Sequence, residues 1–343
     1  MTDTPQPRSN INATPPAQPL VRALAGVTIA CNAPATLADL MVSAAGWELR
    51  GHGPLDPALE AAWGIAPGSA GGEFRLLAAP GMSRGMLRIV QGVERQRLRP
   101  VAVRWAGVEI LVMRDIDALF ERMHAHRAFE ALHAPFDMDW SEFGSNVHRA
   151  FIGRAPGGTH LAFTMAVTQP QGREFPAAAA AIGQVFDVPL ITAQFDAVSH
   201  CLQHTLGMQP FLSSRFDSGP WHRLWSLPPG TAVALDILKG DAPGTGLGGI
   251  ELQGYPASVI DDEPPAAAQL DGGACLVTYT STDLDAAYAR LAADPSVTML
   301  TAPLRIDAPP YSGRRSFCCL LPDGARLELC ESDGQPRAAD CWP

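Results

Sequence analysis

Asp187 stands in an otherwise apolar run, QVFDVPLIT, where few charged residues are found. Burying a carboxylate there is costly unless it gains partners or a task. Two readings are open: a buried group satisfied by backbone donors, or an acid, base or metal ligand. His200 and His204 lie four apart in FDAVSHCLQHTLG and share one face of a predicted helix, the spacing of a zinc pair. No Glu follows the first His, so the HExxH chemistry is missing and a surface or half-buried pair fits better. His222 in WHRLW reads either as a proton shuttle or as a packed strand residue, and His148 in NVHRAF and His160 in GTHLAF are weaker candidates of the same kind. His124 and His126 end a predicted helix, where a cation suits the dipole. GTGLGG, from Gly244, has the glycines of a dinucleotide loop but opens no helix after a strand, so it reads as a flexible flap. The seven cysteines include no CxxC pair, which favours free thiols in a reducing cytoplasm over disulfides or a cysteine zinc site.

The elements that would carry these residues are short. The 343 residues include 32 Gly and 31 Pro without a collagen-like period, so many turns link short elements. At 47% hydrophobic and 17% charged, the chain is too apolar for disorder and too sparsely charged for a coiled coil. A net charge of −10 argues against nucleic-acid binding, and 7% aromatics against a base-stacking platform. No apolar stretch of membrane-spanning length is present, and the Pro-rich start, residues 1–20, reads as a disordered tail rather than a signal peptide. A cytoplasmic protein is expected.

Two segments, 21–167 and 182–332, pass through the same events. A β-branched stretch (VTIA, VPLIT) leads to a helical stretch stopped by Gly46 or Gly207. Turn-rich strands follow, GMLRIVQGV in one and GGIELQGYP in the other. A strand then feeds a helix through an acidic cap, Asp115 or Asp283, and a Gly turn and strand close each half. Gly46 to Asp115 is 69 residues and Gly207 to Asp283 is 76, so the halves keep register. Residues 168–181 read as the linker between them and 333–343 as a C-terminal tail.

Four strand–helix–strands units in two paired modules resemble the vicinal oxygen chelate superfamily, the glyoxalase, bleomycin-resistance and dioxygenase group. The resemblance spans about 310 residues and is carried by DIDALFER, DLDAAYAR, LPDGARLEL and FDAVSHCLQHTLGMQP. It implies an α+β fold of four βαβββ units paired into two open-barrel modules, each sheet curling into a cup with the active site on its floor.

The family's ligand positions fall on Asp187, Leu276, Glu328 and Glu251 in the second half, and on Gly26, Val108, Ala162 and Arg88 in the first. The first module is therefore expected to be degenerate and structural, and the second to carry Asp187, Glu251 and Glu328 in one cavity. Without histidine at these positions the two-His, one-carboxylate iron triad of ring-cleaving dioxygenases is absent. Three carboxylates suit one divalent ion, Mg, Mn or Fe, and metal-free acid–base work equally. Outward-facing, solvated strand positions are the competing reading of Glu251 and Glu328. Asp187 and Glu328 are the candidate catalytic pair, with His222 and Tyr311 as helpers. Tyr311, Arg314 and Arg315, in APPYSGRRSF, would lie on the rim, where an Arg fork could meet a substrate carboxylate or phosphate or remain solvated. Trp221 and Tyr255 are candidate substrate contacts.

The expected function is isomerisation, epimerisation or elimination by proton transfer beside a carbonyl of a small apolar or aromatic metabolite. An oxygenase with an atypical iron site and a ligand-sequestering resistance-type binding protein are the alternatives. A small molecule is the expected partner, with no nucleic acid or membrane, in a monomer or homodimer.

Overall fold

The computed structural model describes residues 19–92, 104–217, 225, 227–240, 244–260, 269–270 and 272–332. Both expected tails beyond these limits, and Trp221, His222 and Cys341, lie outside the described residues.

The four repeats appear as four units. The first holds β1 (Val21–Cys31), α1 (Pro34–Asp39), β2 (Glu48–Pro54), α2 (Pro57–Ala62), β3 (Glu73–Ala78) and β4 (Met86–Gln91). The second holds β5 (Gly107–Val112), α3 (Ile116–His124), β6 (Glu130–Ala131), β7 (Phe136–Asp139), β8 (Val147–Ala155) and β9 (Thr159–Thr168). In the third come β10 (Ile182–Thr192), α4 (Phe195–His200), β11 (Gln209–Phe216), β12 (Val233–Lys239) and β13 (Gly249–Gly254). The fourth has β14 (Gly273–Ser281), α5 (Leu284–Ala293), β15 (Thr298–Met299), β16 (Leu304–Ile306), β17 (Arg314–Leu320) and β18 (Arg326–Glu331).

Local signals behave as their chemistry requires. Gly46 and Gly207 take φ of 82° and 74°, the left-handed turn in which glycine has no Cβ penalty, just past the π-helical turns that prolong α1 and α4. Asp283 caps α5 by accepting from the Ala286 amide at 2.9 Å. Asp115 departs from expectation: it adopts φ 58° at the head of α3 and its side chain caps nothing.

The two sheets are nine-stranded and run β15-β17-β18-β14-β1-β4-β3-β2, with β16 on β17, and β11-β12-β13-β10-β5-β9-β8-β6, with β7 on β8. Unit one therefore joins unit four, and unit two joins unit three. Units one and two do not share a sheet, nor do units three and four, which corrects the expected pairing within 21–167 and within 182–332. The first strands of all four units, β1, β5, β10 and β14, are buried along nearly their whole length, so local periodicity does not choose their pairing. Long-range seam contacts decide it: β1 lies antiparallel to β14, where Ala23 N–H donates to Thr280 Oγ1 (3.2 Å) and Ser281 Oγ to the Leu20 carbonyl (2.8 Å).

One continuous core runs through both sheets, from Trp47, Val27 and Leu327 to Phe151, Phe163 and Leu190. Smaller clusters line the two cups, one around Trp63 and Tyr311, the other around Trp140, Phe211 and Trp225. Among the described residues, no helix is long and apolar enough to cross a membrane.

Candidate functional site

The registers place four floor positions in each cup. In the sheet of units two and three, Glu109 on β5 faces Asp187 on β10 across the antiparallel seam. Glu251 on β13 pairs with Pro189, two residues along β10 from Asp187 and so on the same face. Ala162 on β9 pairs with Glu109 and fills the fourth position. In the other sheet the same logic gives Gly26 opposite Thr278, Arg88 beside Thr28, and Glu328 beside Thr278. The two floors correspond position for position and carry opposite solutions.

The cup of units one and four is closed by its own side chains. Arg88 and Glu328 are fully buried, with Nη2 3.4 Å from Oε2. Arg88 also donates to Thr28 Oγ1 (2.9 and 2.7 Å) and to the Tyr311 hydroxyl (2.7 Å), and its guanidinium lies 4.3 Å from the Trp63 ring centre. Glu328 accepts from Tyr311 (2.7 and 2.8 Å), Thr278 (2.6 Å) and Ser316 (2.7 Å). Burial pushes the Tyr311 phenol well above its usual range, so it remains a donor. Arg88 and Glu328 are thus a buried, hydrogen-bonded polar plug on this floor.

Glu328 and Tyr311 therefore do not meet Asp187, because strand β18 completes the other sheet. Arg315 is committed to Asp285 (2.9 Å) and Glu331 (2.9 Å) on the outer face. Arg314 pairs with Ile306 at a sheet edge, and neither arginine lines the open cavity. His200 and His204 are exposed side by side with ring centres 4.6 Å apart, as the sequence suggests. His160 is buried with Nδ1 3.1 Å from the Ala106 carbonyl, and burial pushes it down to about 4. The GTGLGG segment is not a free flap: Thr245 is buried and its amide donates to the Glu174 carbonyl (3.0 Å) of residues 168–181.

The cup of units two and three keeps a cavity of about 70 Å³, set within about 780 Å³ of empty space that includes its solvent-filled mouth. Its walls are apolar, including Trp140, Phe151, Phe175, Phe186, Phe211 and Trp225. On its floor Glu109, Asp187 and Glu251 each bring one carboxylate oxygen within 4.8 Å of the others. Asp187 is 2% exposed and Glu251 9%.

Three acids in one apolar recess cannot all ionise easily. Burial, then the charges of Glu251 and Glu109, lifts Asp187 well above the usual carboxylate range, against an amide hydrogen bond from Val188 (2.9 Å). Burial, then Glu109, pushes Glu251 up to about 8. Burial pushes Glu109 up to about 7, against a hydrogen bond from the Thr164 hydroxyl. Glu251 is steadied by a chain in which Tyr255 donates to Gln253 Oε1 (2.7 Å) and Gln253 Nε2 to Glu251 Oε1 (2.6 Å). Tyr255 thus stands behind the floor rather than in the cavity. Among the described residues, no Lys or Arg pairs with any of the three acids.

Sequence reasoning missed Glu109 by one residue. It assigned Val108, and in a strand a one-residue slip exchanges the two faces. Val108 is core, and Glu109 faces the cup. The first half of the chain consequently forms one wall of the open cup, contributing Glu109, Trp140, Asn146, His148 and Phe151.

An all-oxygen donor set at this spacing fits a hard divalent ion, Mg²⁺ or Mn²⁺, held by Glu109, Asp187 and Glu251. Without imidazole it fits Fe²⁺ less well.

No protein-family model matches the sequence, and no curated protein matches it either. Solved structures do match in fold. Glyoxalase I from Zea mays is 12% identical and aligns over 90% of this chain and 92% of its own with a TM-score of 0.57. A point mutant of that enzyme is 11% identical over 90% of this chain and 93% of its own, with a TM-score of 0.59. A Bacillus subtilis protein assigned as a dioxygenase is 11% identical over 92% of this chain and 86% of its own, with a TM-score of 0.54. The chain therefore has the fold of these glyoxalase I structures.

Proposed function

We propose that the chain is an enzyme that moves a proton at the carbon beside a carbonyl of a small, largely apolar molecule, in the cup of units two and three. The observation that carries this reading is the convergence of Glu109, Asp187 and Glu251 on the floor of an aromatic cavity, with no basic side chain to neutralise them among the described residues.

Asp187, the most deeply buried of the three and flanked by two other acids, keeps its proton and donates it toward the substrate oxygen. Glu109, poised near neutrality, takes the proton from the adjacent carbon. Glu251, locked by Gln253, sets the position of the other two groups. The aromatic walls exclude water, which strengthens these interactions. A divalent ion bound by the three carboxylates would supply an electrophile for the carbonyl oxygen.

The test is carbon-bound hydrogen exchange. Aryl ketones in deuterated buffer, followed by NMR with and without Mg²⁺ or Mn²⁺, should exchange their α-hydrogens faster with the protein present. Asp187→Asn and Glu109→Gln should each slow that exchange by about 10²- to 10⁴-fold while the circular dichroism spectrum is unchanged. Full exchange activity in both variants overturns the assignment.

A further inference from the structure

One part of the open cup is not used by the chemistry above. Asn146, 3% exposed, and His148, 9% exposed, both line the cavity. The Asn146 amide nitrogen and His148 Nδ1 are buried, and neither has a hydrogen-bond partner. Asn146 is held only at its other end, where its Oδ1 accepts from Ser145 Oγ at 3.4 Å and its main-chain carbonyl from the Trp140 amide at 3.1 Å. The His148 ring packs 6.0 Å from Phe175, and its burial pushes the imidazole down to about 4, so the ring is neutral near pH 7. Buried polar groups without partners are costly, and such groups facing a cavity are explained by what enters it.

Their place along the sheet sets them apart from the carboxylates. Thr164, which holds Glu109, pairs with Ala150, whereas His148 pairs with Ala166, two residues further along β9. Two strand residues advance roughly 7 Å, which one substituted benzene ring bridges. Aromatic walls fill the interval.

We propose that Asn146 and His148 form an uncharged recognition pole that binds a hydroxyl or carbonyl oxygen at the far end of the substrate, whose reacting carbonyl lies on the carboxylate floor. The substrate class is then an aromatic carbonyl compound with a distal neutral oxygen. The inference rests on the function proposed above for the floor. The Asn146 amide donates to the distal oxygen, and the neutral imidazole accepts from, or donates to, the same group.

The probes are 4′-hydroxyacetophenone and 4′-methylacetophenone, which share the carbonyl and differ in one distal group of similar size, with affinities measured by titration calorimetry. The unaltered protein should prefer the hydroxyl compound about five- to tenfold, the worth of one net hydrogen bond. Asn146→Leu and His148→Phe should each collapse that ratio toward one, without weakening the methyl compound. Both variants should also raise the Tm of the ligand-free protein, since each removes an unpaired buried polar group; a structural role would lower it. Asp187→Asn should weaken both probes and leave the ratio intact. A ratio near one in the unaltered protein, a ratio that survives both pole variants, or one abolished by Asp187→Asn overturns the pole. Failure of the α-hydrogen exchange above would remove the floor chemistry while the probe ratio stayed readable, so the two failures are distinct.

Discussion

Glu328→Gln separates the two cups. The Glu328 carboxylate is fully buried, accepts from Tyr311, Thr278 and Ser316 at 2.6 to 2.8 Å, and faces Arg88 at 3.4 Å. The amide keeps the volume but sets an NH₂ where the surrounding hydroxyls now donate, so they must turn to accept from it, and leaves the Arg88 charge buried without a counter-charge. Breaking one partner of a buried pair costs about 3–5 kcal/mol. With an unfolding entropy of about 2.1 cal/mol/K per residue, a chain of 343 residues melting as one unit should lose roughly 4–7 °C of Tm. Calorimetry or thermal circular dichroism reads that loss. Below the melting range, ketone exchange per folded molecule should be unchanged, since Glu328 lies in the closed cup. A Tm within 1 °C of the parent, or loss of exchange at unchanged Tm, would refute the reasoning.

Three further outcomes follow from the open cup. In chelator, Glu109 and Glu251 hold protons in the folded state up to about 7 and about 8 that the unfolded chain releases near 4.5. The folded state is therefore favoured below about pH 4.5, and that advantage is lost as pH rises through 7 to 8, by roughly 3 kcal/mol for Glu109 and roughly 5 kcal/mol for Glu251. Urea unfolding at pH 5 and pH 8 checks this: Glu109→Gln should shrink the fall, and Mn²⁺ should reverse it at pH 8. His148 carries the opposite sign. Its folded value of about 4 lies below the unfolded 6.5, so it destabilises the fold as pH drops from 6.5 toward 4, and His148→Phe should abolish roughly 3 kcal/mol of that loss. Finally, Tyr255→Phe removes the donor that holds Gln253, and should lower Mn²⁺ affinity about 10- to 100-fold in titration calorimetry.

Much of the fold was legible in local chemistry. Asp283 in DLDAAYAR is the cap its carboxylate suits, Gly46 and Gly207 stop the helices of units one and three, and the repeated strand pattern counts four units correctly. Asp187 and Glu251 were placed as acids at floor positions by the family resemblance, which also put Glu328 with them, whereas β18 carries Glu328 into the other sheet. Glu109 was not, since nothing local distinguishes the register of GVEILV from one shifted by a single residue. Phe175 was read as linker and Asn146 passed over, as neither has a local signature of lining a cavity.

The sequence by itself determined the units, their caps and turns, and a surplus of carboxylates in apolar strands, because each of these depends on neighbours within a few residues. Only the tertiary structure decided which units share a sheet. That choice rests on the β1–β14 and β5–β10 seams, whose partners lie up to 261 residues apart in the chain, as Leu20 and Ser281 do. It also decided the chemistry. By placing Glu328 against Arg88 and Glu109 against Asp187, the same four floor positions became a closed ion pair in one cup and an open cluster of acids in the other.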